Sequence, residues 1–161
     1  MQNPHGIKRV LFNCYAPVSA AILTVAFLLL LIQYLEWNQF AAIAAGIFGF
    51  AFGVQKQNLG ELKIFKELFE QFNKRYDEMD FDLNHIHQQP PDLPLTEDEK
   101  ICLFKYFNLC GEEFLYFKKG FIFQEVWVAW NNGMKYFRKN PRIKILWDED
   151  LGNESYYGLT F

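Results

Sequence analysis

Catalytic groups at the spacings that chemistry requires are missing from this chain. No Walker loop, GxGxxG, HExxH, CxxC pair or Ser-His-Asp set occurs in its 161 residues. Their absence removes the phosphate-cradling, dinucleotide-binding, zinc-protease, thiol-redox and serine-nucleophile classes that depend on them. Cysteine is scarce as well: Cys14, Cys102 and Cys110 are an odd set, which excludes a fully paired disulfide framework. Cys102 and Cys110 fall on one predicted helix about 12 Å apart along its axis, too far to bridge. Reduced thiols facing a cytosol are the simplest reading. Positive charge is not in excess either, since 16 Lys and Arg against 19 Asp and Glu leave a net charge of −3. That balance argues against a general nucleic-acid binder. Period-two alternation, internal repeats and low-complexity tracts are also lacking, so nothing points to a sheet, a solenoid or a disordered tail.

What is present is apolar. Hydrophobic residues make up 51% and aromatics 19%, with eighteen Phe. Ala16 to Leu35 reads APVSAAILTVAFLLLLIQYL, uncharged and interrupted only by Ser19, Thr24 and Gln33. At ~1.5 Å per residue such a run matches the ~30 Å hydrocarbon core of a bilayer. It is too long for a signal peptide, and no small-residue cleavage site follows it, so a retained span is expected. A second apolar stretch, Phe40 to Val54, is short by itself and becomes adequate with Trp37 and Gln39 as interfacial anchors. Within it Ala41, Ala45, Gly49 and Gly53 recur every four residues, the small-residue spacing that lets membrane helices approach closely. Lys8 and Arg9 precede the first span, Lys56, Lys63 and Lys66 follow the second, and the connector EWNQ has no positive charge. The positive-inside bias then sets both termini in the cytoplasm. A single span followed by a buried glycine-rich helix is the alternative.

Beyond the anchor the pattern is helical. Leu62, Phe65, Phe69, Phe72, Tyr76 and Met79 step by three and four to form one apolar seam, for packing in a local bundle or for contact between copies. The pattern fades after Met79, and QQPPDLPL at 88–95 is a Pro-rich connector. Thr96 with Glu99 forms a capping box for a helix from Glu97 to about Lys119, with Ile101, Phe104, Phe107, Phe114 and Phe117 near one face and Gly120 as its stop. A further helix from about Gln124 to Lys139 places Val126, Trp127, Trp130, Met134 and Phe137 at core spacing. Asn140 and Pro141 begin a short last helix carrying Ile143, Leu146 and Trp147, and the tail GNESYYGLTF reads as irregular. The expected fold class is therefore all-α: an N-terminal transmembrane helical hairpin (residues 1–56, spans about 16–35 and 37–54) followed by a cytosolic helical bundle with an aromatic-rich core (57–161).

Three groups of residues are candidate sites. His85 and His87 at i, i+2 would need Asp80 or Asp82 to complete a metal set, and the prolines just beyond favour a solvated linker instead. Glu112 and Glu113 point ~100° apart on a helix, so at most one faces a shared site. Salt bridges toward Lys118, Lys119 or Arg138 are their plainer role. Lys135, Arg138, Lys139, Arg142 and Lys144 form the most basic stretch, a candidate contact for anionic lipid, RNA or an acidic protein partner, although a basic helix C-terminus also complements its own dipole. Helical ribonucleases of the higher-eukaryote and prokaryote nucleotide-binding class need an Arg followed shortly by a His, and no histidine follows Arg138 or Arg142. A nuclease would have to assemble from Glu112, Arg138 and His85. No catalytic residue, metal, cofactor or small-molecule substrate is expected; membrane lipid and further copies of the chain are the expected partners.

The segments FKELFEQFNKRYDEMDFDLN, LTEDEK and YFNLCGEEFLYFKKGFIFQEVWVAWNNGMKYFRKNPRIKILW together resemble a widespread, largely uncharacterised family of small bacterial proteins with a membrane anchor and a helical cytosolic domain. The resemblance covers most of Phe65 to Trp147 and implies a location at the inner membrane of a bacterium and a place among antiviral defence genes. The organisation is also similar, in architecture and not in motif residues, to the membrane accessory protein of type VI-B CRISPR systems, which implies self-assembly and membrane permeabilisation. No catalytic residue carries over from either.

Overall fold

A computed structural model of the chain describes residues 5–152 and 156–161, with side chains from Val10 onward except that of Leu11. The described residues form five helices and no strand: α1 (His5–Leu31), α2 (Trp37–Gln88), α3 (Glu97–Lys118), α4 (Gln124–Phe137) and α5 (Pro141–Leu151). They fall into two compact units, Met1–Ile64 and Phe65–Phe161, so α2 contributes its first part to one and the rest to the other.

The first unit consists of α1, a tight turn and the start of α2. Although the apolar run continues to Leu35, α1 ends at Leu31. Gln33 takes the left-handed conformation (φ 60°), its N–H donates to Leu30 O, and Tyr34 N–H donates to Leu29 O. These two bonds are a Schellman stop, here built on glutamine where glycine is usual. On the far side of the turn Gln39 Oε1 accepts from Glu36 N–H at 3.0 Å, half of a capping box for α2. Phe27 on α1 meets Phe40 on α2 with ring centroids 6.2 Å apart. Pro17 lies inside α1 and leaves one carbonyl of the preceding turn without its intrahelical donor.

Shielded positions in this unit recur at helical spacing. On α1 they are Phe12, Tyr15, Ser19, Leu23, Ala26 and Leu30; on α2 they include Phe40, Ile47, Ala51 and Val54. Ala41, Ala45, Gly49 and Gly53 are not among them. All four are exposed, and a Cβ added at Gly49 or Gly53 would meet nothing within 4 Å. The small-residue face therefore looks outward, away from the shielded stripe of its own helix. The side chains of Lys8 and Arg9, on which the expected orientation partly rests, lie outside the described residues.

The second unit is a bundle around an aromatic core. The helical pattern of α2 does not fade at Met79. It continues through Leu83 and Ile86, both essentially inaccessible, because the polar residues between them occupy the other faces. His85 and His87 are accordingly in the last turn of a helix and not in a linker. Phe72 is fully buried, and Phe65, Tyr76 and Met79 pack against the core. Phe69 stacks on Trp130 while remaining partly exposed. These members of the seam are engaged inside the chain, and Leu62, in the first unit, is exposed. Thr96 caps α3 with both bonds of the capping box present. Gly120 (φ 79°) stops it, with Gly120 N–H donating to Phe117 O and Phe121 N–H to Tyr116 O. Leu103, Tyr106, Phe107, Leu109 and Cys110 form the buried side of α3, whereas Ile101 and Phe104 face outward. Trp147 of α5 stacks on Phe107 at 4.4 Å. The C-terminal tail returns to this core through Tyr156 and Leu159; Asn153, Glu154 and Ser155 lie outside the described residues.

Candidate functional site

Two polar arrangements stand out in the bundle, one structural and one open to solvent. The structural one joins the end of α2 to the starts of α3 and α5. Asn140 caps α5 by accepting from Arg142 N–H, and its amide donates to His87 O and Gln89 O. Arg142 is buried, with its guanidinium donating to Ile86 O, Pro94 O and both carboxylate oxygens of Glu99. Burial disfavours the charge of Glu99, but the Thr96 N–H and Arg142 outweigh it and hold that carboxyl below the ordinary range. Carbonyls that a helix end leaves without donors thus find partners in two side chains from a distant helix start.

The basic stretch is divided by this arrangement. Arg142 is inside the fold. Arg138 pairs with Asp148 and lies 4.2 Å from the Phe161 ring centroid. Lys144 also pairs with Asp148 but remains half exposed. Only Lys135, Lys139 and Lys144 of the five face outward, so the expected contact surface is smaller than the run of charges suggests.

The second arrangement is a cavity of about 230 Å³, lined by Asn73 and Tyr76 of α2, Tyr106 and Glu113 of α3, and Ala129, Trp130, Gly133 and Met134 of α4. The residues from α2 and α4 lie one turn apart and those from α3 two turns apart, so each helix turns one face to the cavity. The rings of Tyr76 and Tyr106 are 6.4 Å apart and tilted. Trp130 is held by Phe69, stacked at 6.0 Å, and by Phe72, edge-on at 5.8 Å. Glu113 is only 6% exposed. Its neighbour Glu112 forms a two-pronged ion pair with Arg75, but Glu113 itself makes no hydrogen bond among the described residues. Burial pushes its carboxyl up to about 8; Arg75 opposes that shift and Glu112 adds to it. Near neutral pH the cavity therefore contains a protonated, unpartnered carboxyl. Burial also raises the Tyr106 hydroxyl and the Cys110 thiol beside it, so neither supplies a nucleophile.

Glu112 and Glu113 thus have separate fates, and neither pairs with Lys118, Lys119 or Arg138 as expected. The Glu112, Arg138 and His85 set is not assembled: Glu112 is tied to Arg75, Arg138 to Asp148, and His85 to Gln89. His87 packs on Tyr136, with ring centroids 4.4 Å apart. Among the described residues no three His, Cys, Asp or Glu side chains are grouped to hold a metal. The cavity escaped sequence reasoning because its residues come from three helices; its one signal was a glutamate inside an otherwise apolar stretch. Compared with protein-family models, with curated proteins and with solved structures, the chain matches none.

Proposed function

We propose that this chain is a membrane-anchored helical protein that works by association and not by catalysis. In this reading α1 and the apolar start of α2 cross the inner membrane of a bacterium as a hairpin, with both chain ends in the cytoplasm, and the bundle from Phe65 onward is tethered on that side. The observation that carries it is exposed apolar surface on helices long enough to span. Of the twenty residues Phe12–Leu31 only Ala26 and Leu30 are buried, and side chains such as Leu31 (62%) and Phe52 (68%) are open. Contiguous apolar surface of this kind marks an interaction site or a lipid contact, and a core helix of a water-soluble fold would have covered it.

Self-association is supported by the outward face of Ala41, Ala45, Gly49 and Gly53, the spacing at which membrane helices pack most closely. A role as an accessory or effector of antiviral defence rests on the sequence resemblance alone. Membrane permeabilisation is the furthest extension of that role, and the spans offer little polar lining for it, since the Thr24 hydroxyl donates to Ala20 O within its own helix. A second reading, a tethered module that recruits RNA or a protein through residues 135–144, is favoured only by the outward Lys135, Lys139 and Lys144. Extraction of expressing cells with alkaline carbonate tests the anchor: the protein is expected in the membrane pellet. Recovery of the whole chain as a detergent-free monomer in the supernatant would overturn the reading.

A further inference from the structure

We propose that the cavity between α2, α3 and α4 binds a small organic ammonium ion, with Glu113 as its counter-charge and Tyr76, Tyr106 and Trp130 as its walls. Three observations lead there. The cavity is real space, about 230 Å³, below the ~300–1,000 Å³ of sites for drug-sized ligands; it suits a choline-sized ion and excludes a nucleotide. Its walls present three electron-rich rings, which attract a cation through their quadrupoles, most strongly where water is displaced. Glu113 at its edge is only 6% exposed as a residue, and its carboxyl makes no hydrogen bond among the described residues. Burial disfavours the charged form of this carboxyl more than Arg75 favours it, and an ammonium ion in the cavity supplies a further counter-charge.

Competing charges have been neutralised already. From α2, Arg75 is held by the two oxygens of Glu112, and Tyr76 is hydrogen-bonded to Asp80, with Asp77 nearby. From α3, Tyr106 interacts with Cys110, and burial keeps both protonated. The α4 side of the cavity, Ala129, Trp130, Gly133 and Met134, has no titratable group. Glu113 is the one group there that changes charge near neutral pH. Its carboxyl is mostly protonated at pH 7, so a cation that enters must displace that proton into solvent. Binding therefore releases close to one proton per ion at pH 7. Affinity rises about tenfold per pH unit up to about pH 8 and then levels.

The test is titration calorimetry of the full-length protein in detergent micelles with tetramethylammonium, choline and n-butylammonium chlorides, against sodium chloride at matched ionic strength. Paired buffers of different ionisation enthalpy count the protons. Saturable millimolar or tighter binding with proton release is expected, and Glu113→Gln should weaken it at least about tenfold. Gly133→Leu serves as a second variant. It fills open space, since a Cβ there meets nothing within 4 Å, favours the helix and leaves Glu113 in place; it should abolish binding while circular dichroism stays unchanged. Phosphocholine separates the two sources of such an ion: binding identifies a lipid headgroup, and exclusion with choline retained identifies a free amine. Absence of binding by all three probes, or binding that neither substitution affects, would overturn the proposal.

Discussion

Glu113 keeps its proton because burial disfavours its charge more than Arg75 favours it. Folding raises its pKa from the ordinary 4.5 to about 8. Between those values the folded chain retains a proton that the unfolded chain has released. The stability linked to it is complete below pH 4.5 and is lost as the pH rises through 8, on the order of a few kcal/mol for a group this buried. Urea unfolding in detergent should therefore show the native chain weaker at pH 8.5 than at pH 5.5, with Glu113→Gln flattening the difference; equal slopes for the two would contradict the assignment. Arg142 illustrates a different situation, a buried charge whose two terminal nitrogens donate to Ile86 O, Pro94 O and the Glu99 carboxylate while its Nε has no hydrogen-bond partner among the described residues. Arg142→Met leaves the Glu99 carboxylate and the carbonyls of Ile86 and Pro94 without their donor, and is expected to cost about 3–5 kcal/mol. Adding Glu99→Gln should recover part of that loss in a thermal melt, and strict additivity of the two changes would argue against the coupling.

At the level of elements, what could be read from the residues is what is decided within one turn of chain. Thr96 with Glu99, Asn140 with Pro141, and Gly120 all mark helix ends through local hydrogen bonds and φ preferences, and the helices begin and end there. What depends on neighbours could not be read so well. The continuation of α2 through Leu83 and Ile86 was hidden by the intervening Asp82, Asn84 and His85. The phenylalanines of α3 were divided between core and surface, Phe107 against Phe104, for reasons that lie on other helices. Arg142 was indistinguishable in composition from the exposed lysines around it. The two left-handed stops give a paired prediction, because glycine adopts that conformation without strain and glutamine does not. Gln33→Gly should stabilise by about 0.5–1 kcal/mol and Gly120→Ala should destabilise by about 1 kcal/mol, seen as opposite shifts of calorimetric midpoint in one detergent. Gly111→Ala is more severe, since the added Cβ would come within 2.9 Å of the Tyr156 ring and displace the tail from the core.

For the whole molecule the determining fact is that the unit from Phe65 onward has a buried aromatic core, whereas few apolar side chains of the unit before it are buried. The bundle from Phe65 onward buries Phe72, Phe107, Phe137 and Trp147 while leaving Phe81 and Tyr136 exposed, whereas α1 and the start of α2 present most of their large apolar side chains outward. If the outward small-residue face joins copies, replacing Gly49 and Gly53 together by leucine should reduce the oligomer size measured in lipid nanodiscs, and an unchanged size would place the contact elsewhere. The anchor itself is tested most directly by cysteine labelling in spheroplasts, using a chain with Cys14 and Cys102 replaced by serine and the buried Cys110 retained. A membrane-impermeant maleimide should label Asn38→Cys, in the first turn of α2, from outside, and should reach Lys66→Cys only after the membrane is broken. Equal labelling of both positions in intact spheroplasts, or protection of both, would contradict a hairpin that crosses the bilayer twice.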